Sequence, residues 1–171
     1  MCCDFDPGPD VLVRSGFDDS AIRRACLRGD LVRLAPGRYL RRRQWDRLDE
    51  RQRYVMRAIA AVTRARTAVV ISHSSAAAFW EFPRLGPWPE RIHVVEIGGT
   101  GATGGTTLLR HSAVLEDGDI REVHGVLVTA PARTALDLAI GAPLRQAVLA
   151  LDHGLRAKLL SLAELQEQLD R

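Results

Sequence analysis

At 171 residues, 46% hydrophobic and 26% charged, the chain has the size of one ordinary domain or two small ones, and its composition excludes a disordered protein. No apolar run approaches the roughly 18 residues a membrane helix needs, the start Met1-Cys2-Cys3-Asp4-Phe5-Asp6 is acidic where a secretory leader is basic, and three cysteines make neither a disulfide framework nor a zinc spacing. The net charge is only +3, yet residues 20–66 hold fourteen arginines against four acids while both flanking segments are net acidic, which predicts a face for a polyanion.

In chain order, residues 1–9 read as a loose tail, and Asp10 to Ser15 as a short helical turn closed by Gly16. Asp18 or Asp19 is a good N-cap for a helix over Ser20–Arg28, which Gly29 ends. Ile22, Ala25 and Cys26 fall on one side of that helix, and Arg23, Arg24 and Arg28 on the other. Leu31–Leu34, the turn Ala35-Pro36-Gly37 and Arg38–Leu40 then predict a short hairpin with Arg33 and Arg38 near its tip. A short helix, a second basic helix and a basic-tipped hairpin is the part order of a winged helix-turn-helix, whose second helix lies in the major groove.

Residues 44–65 predict the longest helix, with Trp45, Leu48, Val55, Ile59 and Val62 as a core stripe. Beyond it, strands are expected over 68–71, 91–97, 106–111, 119–124 and 126–129. Helices are expected over Ser75–Phe82, over Ala130–Ile140 with Thr129 as cap, over Pro143 to Ala157, and after the Ser161–Glu164 capping box. These elements make a small α/β unit.

Three stretches invite chemistry. Gly99-Thr100-Gly101-Ala102-Thr103-Gly104 matches GxGxxG, but Thr106–His111 favours a strand where a dinucleotide site needs a helix; a hairpin loop explains the glycines. Ser72-His73-Ser74-Ser75 has no evident orienting acid, so the serines are assigned to helix capping and His73 to a bond with backbone. Arg133 and Asp137 stand one helical turn apart as an ion pair that Asp152 could join. His93, His111, His124 and His153 show no ligand spacing, and Cys26 reads as core. No catalytic residue, metal site or cofactor is expected, and the protein is not expected to be an enzyme.

Four segments together resemble one family. Arg28-Gly29-Asp30-Leu31-Val32-Arg33-Leu34-Ala35-Pro36-Gly37-Arg38-Tyr39 is similar to the basic helix end and wing of the AbiEi-type antitoxins and regulators of actinobacteria. Ile71–Ala78 resembles their SHxSAA segment, Val128–Ala139 their TxPxRTxxDLA helix, and Ala150–Arg156 their ALDxxLR helix, in matching order from about residue 10 onward. The resemblance implies an N-terminal winged helix-turn-helix, an antitoxin-type α/β domain, repression of the protein's own operon and opposition to a nucleotidyltransferase-type toxin. It also implies DNA contact at Arg24, Arg28, Arg33 and Arg38. The first helix is shorter here than is usual in the family, and the endonuclease-like domain many relatives carry is not in this sequence, so a short form or a remnant is expected.

The expectation is therefore an α+β protein: tail 1–9, winged helix-turn-helix 10–43, and α/β antitoxin-type domain 44–171, opened by a connecting helix 44–66. It is a cytoplasmic, double-stranded DNA-binding transcriptional regulator that acts on its own promoter region as an antitoxin. Ser20, Arg23, Arg24 and Arg28 serve the recognition helix, and Arg33, Arg38, Arg41, Arg42 and Arg43 grip phosphate around the wing. About five such contacts imply a salt slope of about −4 to −5. The alternatives are a protein-interaction module that binds a toxin directly, and the regulatory remnant of an endonuclease-like fusion protein.

Overall fold

The computed structural model describes residues 12–13, 18–98 and 106–170. The chain is a mixed α+β protein with two sheets, and it divides into two units, Met1–Arg64 and Ala65–Arg171. The long helix predicted to open the second domain thus falls in the first unit.

The first unit is built from β1 (Leu12–Val13), α1 (Asp19–Leu27), β2 (Leu31–Ala35), β3 (Arg38–Arg41), α2 (Arg42–Trp45) and α3 (Glu50–Val62). Where a helical turn was expected over Asp10–Ser15, Leu12 and Val13 instead pair antiparallel with Tyr39 and Arg38. Aliphatic residues beside an open strand edge favour extended backbone over an isolated turn of helix. The rest of that span, and the tail 1–9, lie outside the described residues. The sheet order is β1-β3-β2.

α1 starts on Asp18, whose carboxylate accepts from the Ser20 amide at 3.1 Å. It ends in a Schellman motif: the Gly29 amide donates to the Cys26 carbonyl at 3.0 Å, and the Asp30 amide to that of Ala25 at 2.9 Å. Gly29 has φ 82°, a left-handed conformation that suits glycine. The hairpin turns at Pro36-Gly37, with Gly37 at φ 76° as a type II turn needs. A register shift between Arg33 and Ala35 accompanies the turn, as expected where a type II turn splays its strands.

The helix predicted over 44–65 is two helices. The first ends at Trp45 with Asp46 as its C-cap, and Asp49 caps the second, its side chain accepting from the Gln52 amide while Gln52 Oε1 accepts from the Asp49 amide. That reciprocal pair is a capping box, and its Asp-x-x-Gln spacing interrupts the apolar periodicity. Leu40, Trp45 and Met56 form the buried cluster of this unit, with Val32, Leu34 and Leu48 packed against it. Of the expected stripe, Trp45 and Val55 are buried, whereas Leu48, Ile59 and Val62 are half-buried; Tyr54, Met56 and three alanines bury more fully.

The second unit is a five-stranded mixed sheet of order β6-β5-β4-β8-β7. Its strands are β4 (Val69–Ile71), β5 (Ile92–Glu96), β6 (Leu108–His111), β7 (Ile120–Val123) and β8 (Val126–Thr129). β4 is buried throughout, pairing antiparallel with β5 and parallel with β8. The β7–β8 hairpin turns on His124 and Gly125, both at positive φ. Helices α4 (His73–Phe79), α5 (Pro131–Gly141), α6 (Leu144–Arg156) and α7 (Leu162–Leu169) complete the unit. The capping box at Ser161 and Glu164 is present. Ala130, not Thr129, is the N-cap of α5; Pro131 opens the helix, and the Thr129 hydroxyl is instead buried against that of Thr134 at 2.7 Å.

Candidate nucleic-acid interface

The first unit presents its arginines in two states. Arg24 donates from Nη1 to the Ser20 hydroxyl at 3.1 Å, and its Nη2 stands 4.0 Å from Asp18, to which Ser20 also donates its own hydroxyl. These Ser20 bonds hold the Asp18 carboxyl below its ordinary pKa. Arg28 Nε meets Asp30 at 2.8 Å. Arg42 donates from Nε to the Gly29 carbonyl at 3.3 Å and faces Asp46 at 3.6 Å. Ser20, Arg24, Arg28 and Arg42 are thus engaged by their own unit.

Arg23, Arg33, Arg38, Arg41 and Arg43 have no partner among the described residues. Arg23 is exposed on α1, Arg33 is exposed on β2, and Arg38 is half-buried just past the turn. Strand alternation accounts for their placement. Val32, Leu34 and Leu40 are packed in or against the core, so Arg33, Tyr39 and Arg41 take the other face of the hairpin. Arg28, Arg41, Arg42 and Arg43 border one cavity of about 790 Å³, together with Ile22 and Ala25 of α1 and Tyr39 of β3. The predicted basic residues therefore gather partly around this cavity and partly along the hairpin. Of the acids that hold Arg24, Arg28 and Arg42, Asp18 was expected only as a helix cap, and Asp30 and Asp46 were not expected as partners, although Arg42 and Asp46 stand at helical i,i+4 spacing.

The second unit brings together residues that are far apart in sequence. In the parallel β5–β6 pair His93 lies opposite Leu109, so His111, two residues on, shares its face as a diagonal neighbour. His93 Nδ1 and His111 Nε2 are 3.1 Å apart. His73, at the start of α4, stacks on His111 with ring centroids 3.8 Å apart and planes 16° apart. Burial lowers the pKa of all three; for His73 and His93 it falls to about 4, helped by the charge of neighbouring His111.

Among the described residues the His73 ring bonds to no backbone group, contrary to expectation. Its Nδ1 is 3.0 Å from the Ser72 hydroxyl and 3.6 Å from Asp137 Oδ2, an oxygen that is buried without a hydrogen bond. Burial raises the Asp137 carboxyl, and Arg133, bonded to Oδ1 at 2.9 Å, opposes that rise. The Ser72 hydroxyl thus faces His73 and makes no cap bond, while the Ser75 hydroxyl accepts from the His93 amide at 2.8 Å. Asp119, not Asp152, extends the Arg133–Asp137 pair, at 3.6 Å from Arg133; Asp152 pairs with Arg156.

Ser72, His73 and Asp137 do not form a nucleophilic relay. Such a relay needs the hydroxyl and the acid on opposite ring nitrogens, whereas both lie at Nδ1, and Ser72 is fully buried. Among the described residues no group of three or more His, Cys, Asp or Glu is arranged to hold a metal ion. The glycine run 99–104 lies outside the described residues, and the element after it is the strand β6.

Among the described residues no helix is long and apolar enough to cross a membrane. The chain matches no family model and no curated protein.

Proposed function

We propose that the protein is a double-stranded DNA-binding transcriptional regulator that acts on its own promoter region as an antitoxin, with the first unit as a winged helix-turn-helix. The observation that carries the reading is the set of five arginines on α1, the adjoining hairpin and α2, namely Arg23, Arg33, Arg38, Arg41 and Arg43, left without acid partners among the described residues. A regular polyanion offers phosphates to such a set, and each neutralised phosphate releases counterions. The β1-β3-β2 sheet is further support for the winged part, as the hairpin closes against the strand before α1, although that strand stands at Leu12–Val13 where the first helix was expected. The motif resemblance to AbiEi-type regulators points the same way. Under this reading α1 enters the major groove, the hairpin arginines hold phosphate, and the protein works in the cytoplasm without catalysis.

The test is fluorescence anisotropy on duplex DNA from upstream of the gene, with a scrambled duplex and an Arg23→Ala/Arg33→Ala variant alongside. Preferential binding to the upstream duplex that the variant loses supports the regulator. Equal binding to both duplexes, or none, overturns it.

Direct binding to a toxin protein is a second reading. It is favoured by Ile140, Leu144 and Val148, which are 79%, 78% and 55% exposed at the α5–α6 corner, an apolar surface of the kind found at protein interfaces. Co-purification with a nucleotidyltransferase-type protein encoded nearby, lost on Leu144→Asp, would support it.

A further inference from the structure

The second unit contains a cavity of about 610 Å³ whose walls include Ser74, Arg84, His93, Arg145 and Gln146. This volume lies in the usual range for small-molecule sites. Among the described residues two guanidinium groups border the cavity and no carboxylate does.

Arg84 is held in place. Its Nε donates to the Pro87 carbonyl at 2.7 Å and its guanidinium stacks over Trp88 at 5.5 Å. The loop that carries it is braced by Gln146, which donates to the Pro83 carbonyl and accepts from the Leu85 amide, both at 2.7 Å. That geometry leaves the two terminal nitrogens of Arg84 without a partner among the described residues. Arg145 is exposed and unpaired among the described residues.

His93 supplies the third polar group. Its Nδ1 is taken by His111, and its Nε2 has no partner among the described residues. When Nδ1 accepts from His111 Nε2–H, the neutral His93 ring carries its own proton on Nε2 and is a donor. The same wall is close to the histidine cluster: a β-carbon on Gly141 would lie 3.8 Å from His73 Cδ2. The remaining wall is apolar, from Leu85, Pro89, Ala142 and Pro143.

We propose that this cavity binds a small organic phosphate, with Arg84 and Arg145 taking the phosphate oxygens, His93 Nε2–H donating a further bond, and the organic body lying on the apolar wall. Planar guanidinium forks match phosphate oxygens, and their bonds to an anion are stronger than neutral ones. Because no acid among the described residues lines the cavity, the ligand must supply the negative charge that two arginines leave unbalanced. A cavity with convergent polar groups and perturbed titratable neighbours is where a ligand site is expected. The proposal does not depend on the DNA-binding reading and concerns the other unit.

The test is imidazole nitrogen NMR on the full chain, titrated with inorganic phosphate, adenosine 5′-monophosphate and adenosine. Adenosine monophosphate is expected to shift His93 to saturation and to fix its proton on Nε2, inorganic phosphate to do so more weakly, and adenosine to do nothing. Arg145→Glu, on an exposed side chain, is expected to weaken nucleotide binding at least about tenfold while the rest of the spectrum keeps its native dispersion. Arg23→Ala/Arg33→Ala is expected to leave it unchanged. No shift of His93 with either phosphate overturns the proposal, as does binding that survives Arg145→Glu. Loss of binding in Arg23→Ala/Arg33→Ala overturns it by placing the phosphate on the first unit. Inorganic phosphate binding as tightly as the nucleotide overturns the organic part of the assignment.

Discussion

If arginines held by their own acids are lost to DNA, removing one acid should improve binding. Asp30→Asn is the cleanest such change. Arg28 Nε and Asp30 Oδ2 are 2.8 Å apart, with both side chains more than half exposed, so the pair contributes only about 0–1 kcal/mol to folding. The residue's structural work is done by its backbone, whose amide closes the Schellman motif on Ala25 and whose carbonyl accepts from the Arg42 amide at 2.8 Å. Asparagine keeps that backbone and the side-chain shape. The freed Arg28 then offers one more phosphate contact, which steepens the slope of log K against log salt by about 0.9. That corresponds to about eightfold tighter binding for a tenfold fall in salt. Arg23→Ala removes one unpaired arginine and should flatten the slope by the same amount. From the five unpaired arginines, the parent slope should lie near about −4.5. Fluorescence anisotropy on one duplex across a salt series measures all three values, and a thermal melt confirms that Asp30→Asn leaves folding intact. If Asp30→Asn weakens binding, or if neither variant changes the slope, the arginines around α1 do not hold phosphate and the reasoning fails.

Other consequences follow from local geometry. Gly29→Ala forces an L side chain to φ 82°, and should destabilise the end of α1 by about 1–2 kcal/mol, seen as faster hydrogen exchange at Arg28 to Asp30. Asp49→Ala removes the cap of α3 and should cost about 1 kcal/mol by urea denaturation. Trp80→Phe removes the 2.7 Å indole donor from the Thr129 carbonyl, which keeps the Thr134 hydroxyl at 2.9 Å, so a loss of about 0.5–1.5 kcal/mol is expected in the same assay. For pH, His73 and His93 have pKa values near 4 in the fold against an ordinary 6.5, so the unfolded chain binds their protons first. Their contribution is therefore complete above about 6.5 and is lost as pH falls toward 4. Asp137, whose carboxyl is raised, works in the opposite sense at the acid end of that window. Urea midpoints across the window should fall with pH, and His93→Gln should flatten the fall.

What the sequence made legible was the local part of the fold. The N-cap at Asp18, the glycine stop at position 29, the Pro36-Gly37 turn and the Ser161 capping box each act over a few residues, and each formed where its pattern stood. Two local features were misread because a competing local signal was strong. The apolar repeat over 44–65 hid the Asp49–Gln52 box that divides it, and the Asp10–Ser15 stretch looked helical while β3 was about to offer Leu12 and Val13 a strand edge. The second unit depended more on distance. Ser72 is the N-cap of α4 as expected, but its hydroxyl turns to neighbouring His73, whose ring is set against distant Asp137, and the Thr129 hydroxyl turns to Thr134 in place of capping α5.

The histidine cluster shows why such sites escape a linear reading. His73, His93 and His111 have no spacing in common, and what gathers them is sheet register. β4 runs antiparallel to β5, β5 runs parallel to β6, and His93 and His111 fall on the same face two positions out of line. A slip of one residue in β6 would send His111 to the opposite face and empty the stack. Long-range pairing of this kind is decided by how the whole sheet buries β4 and β8, which no window of the sequence contains. The arginines differ in that respect: hairpin alternation decides which face Arg33 and Arg41 take, and the acids that occupy Arg24, Arg28 and Arg42 lie within six residues of them. The basic surface could therefore be found from sequence, and only the division between engaged and available arginines needed the fold.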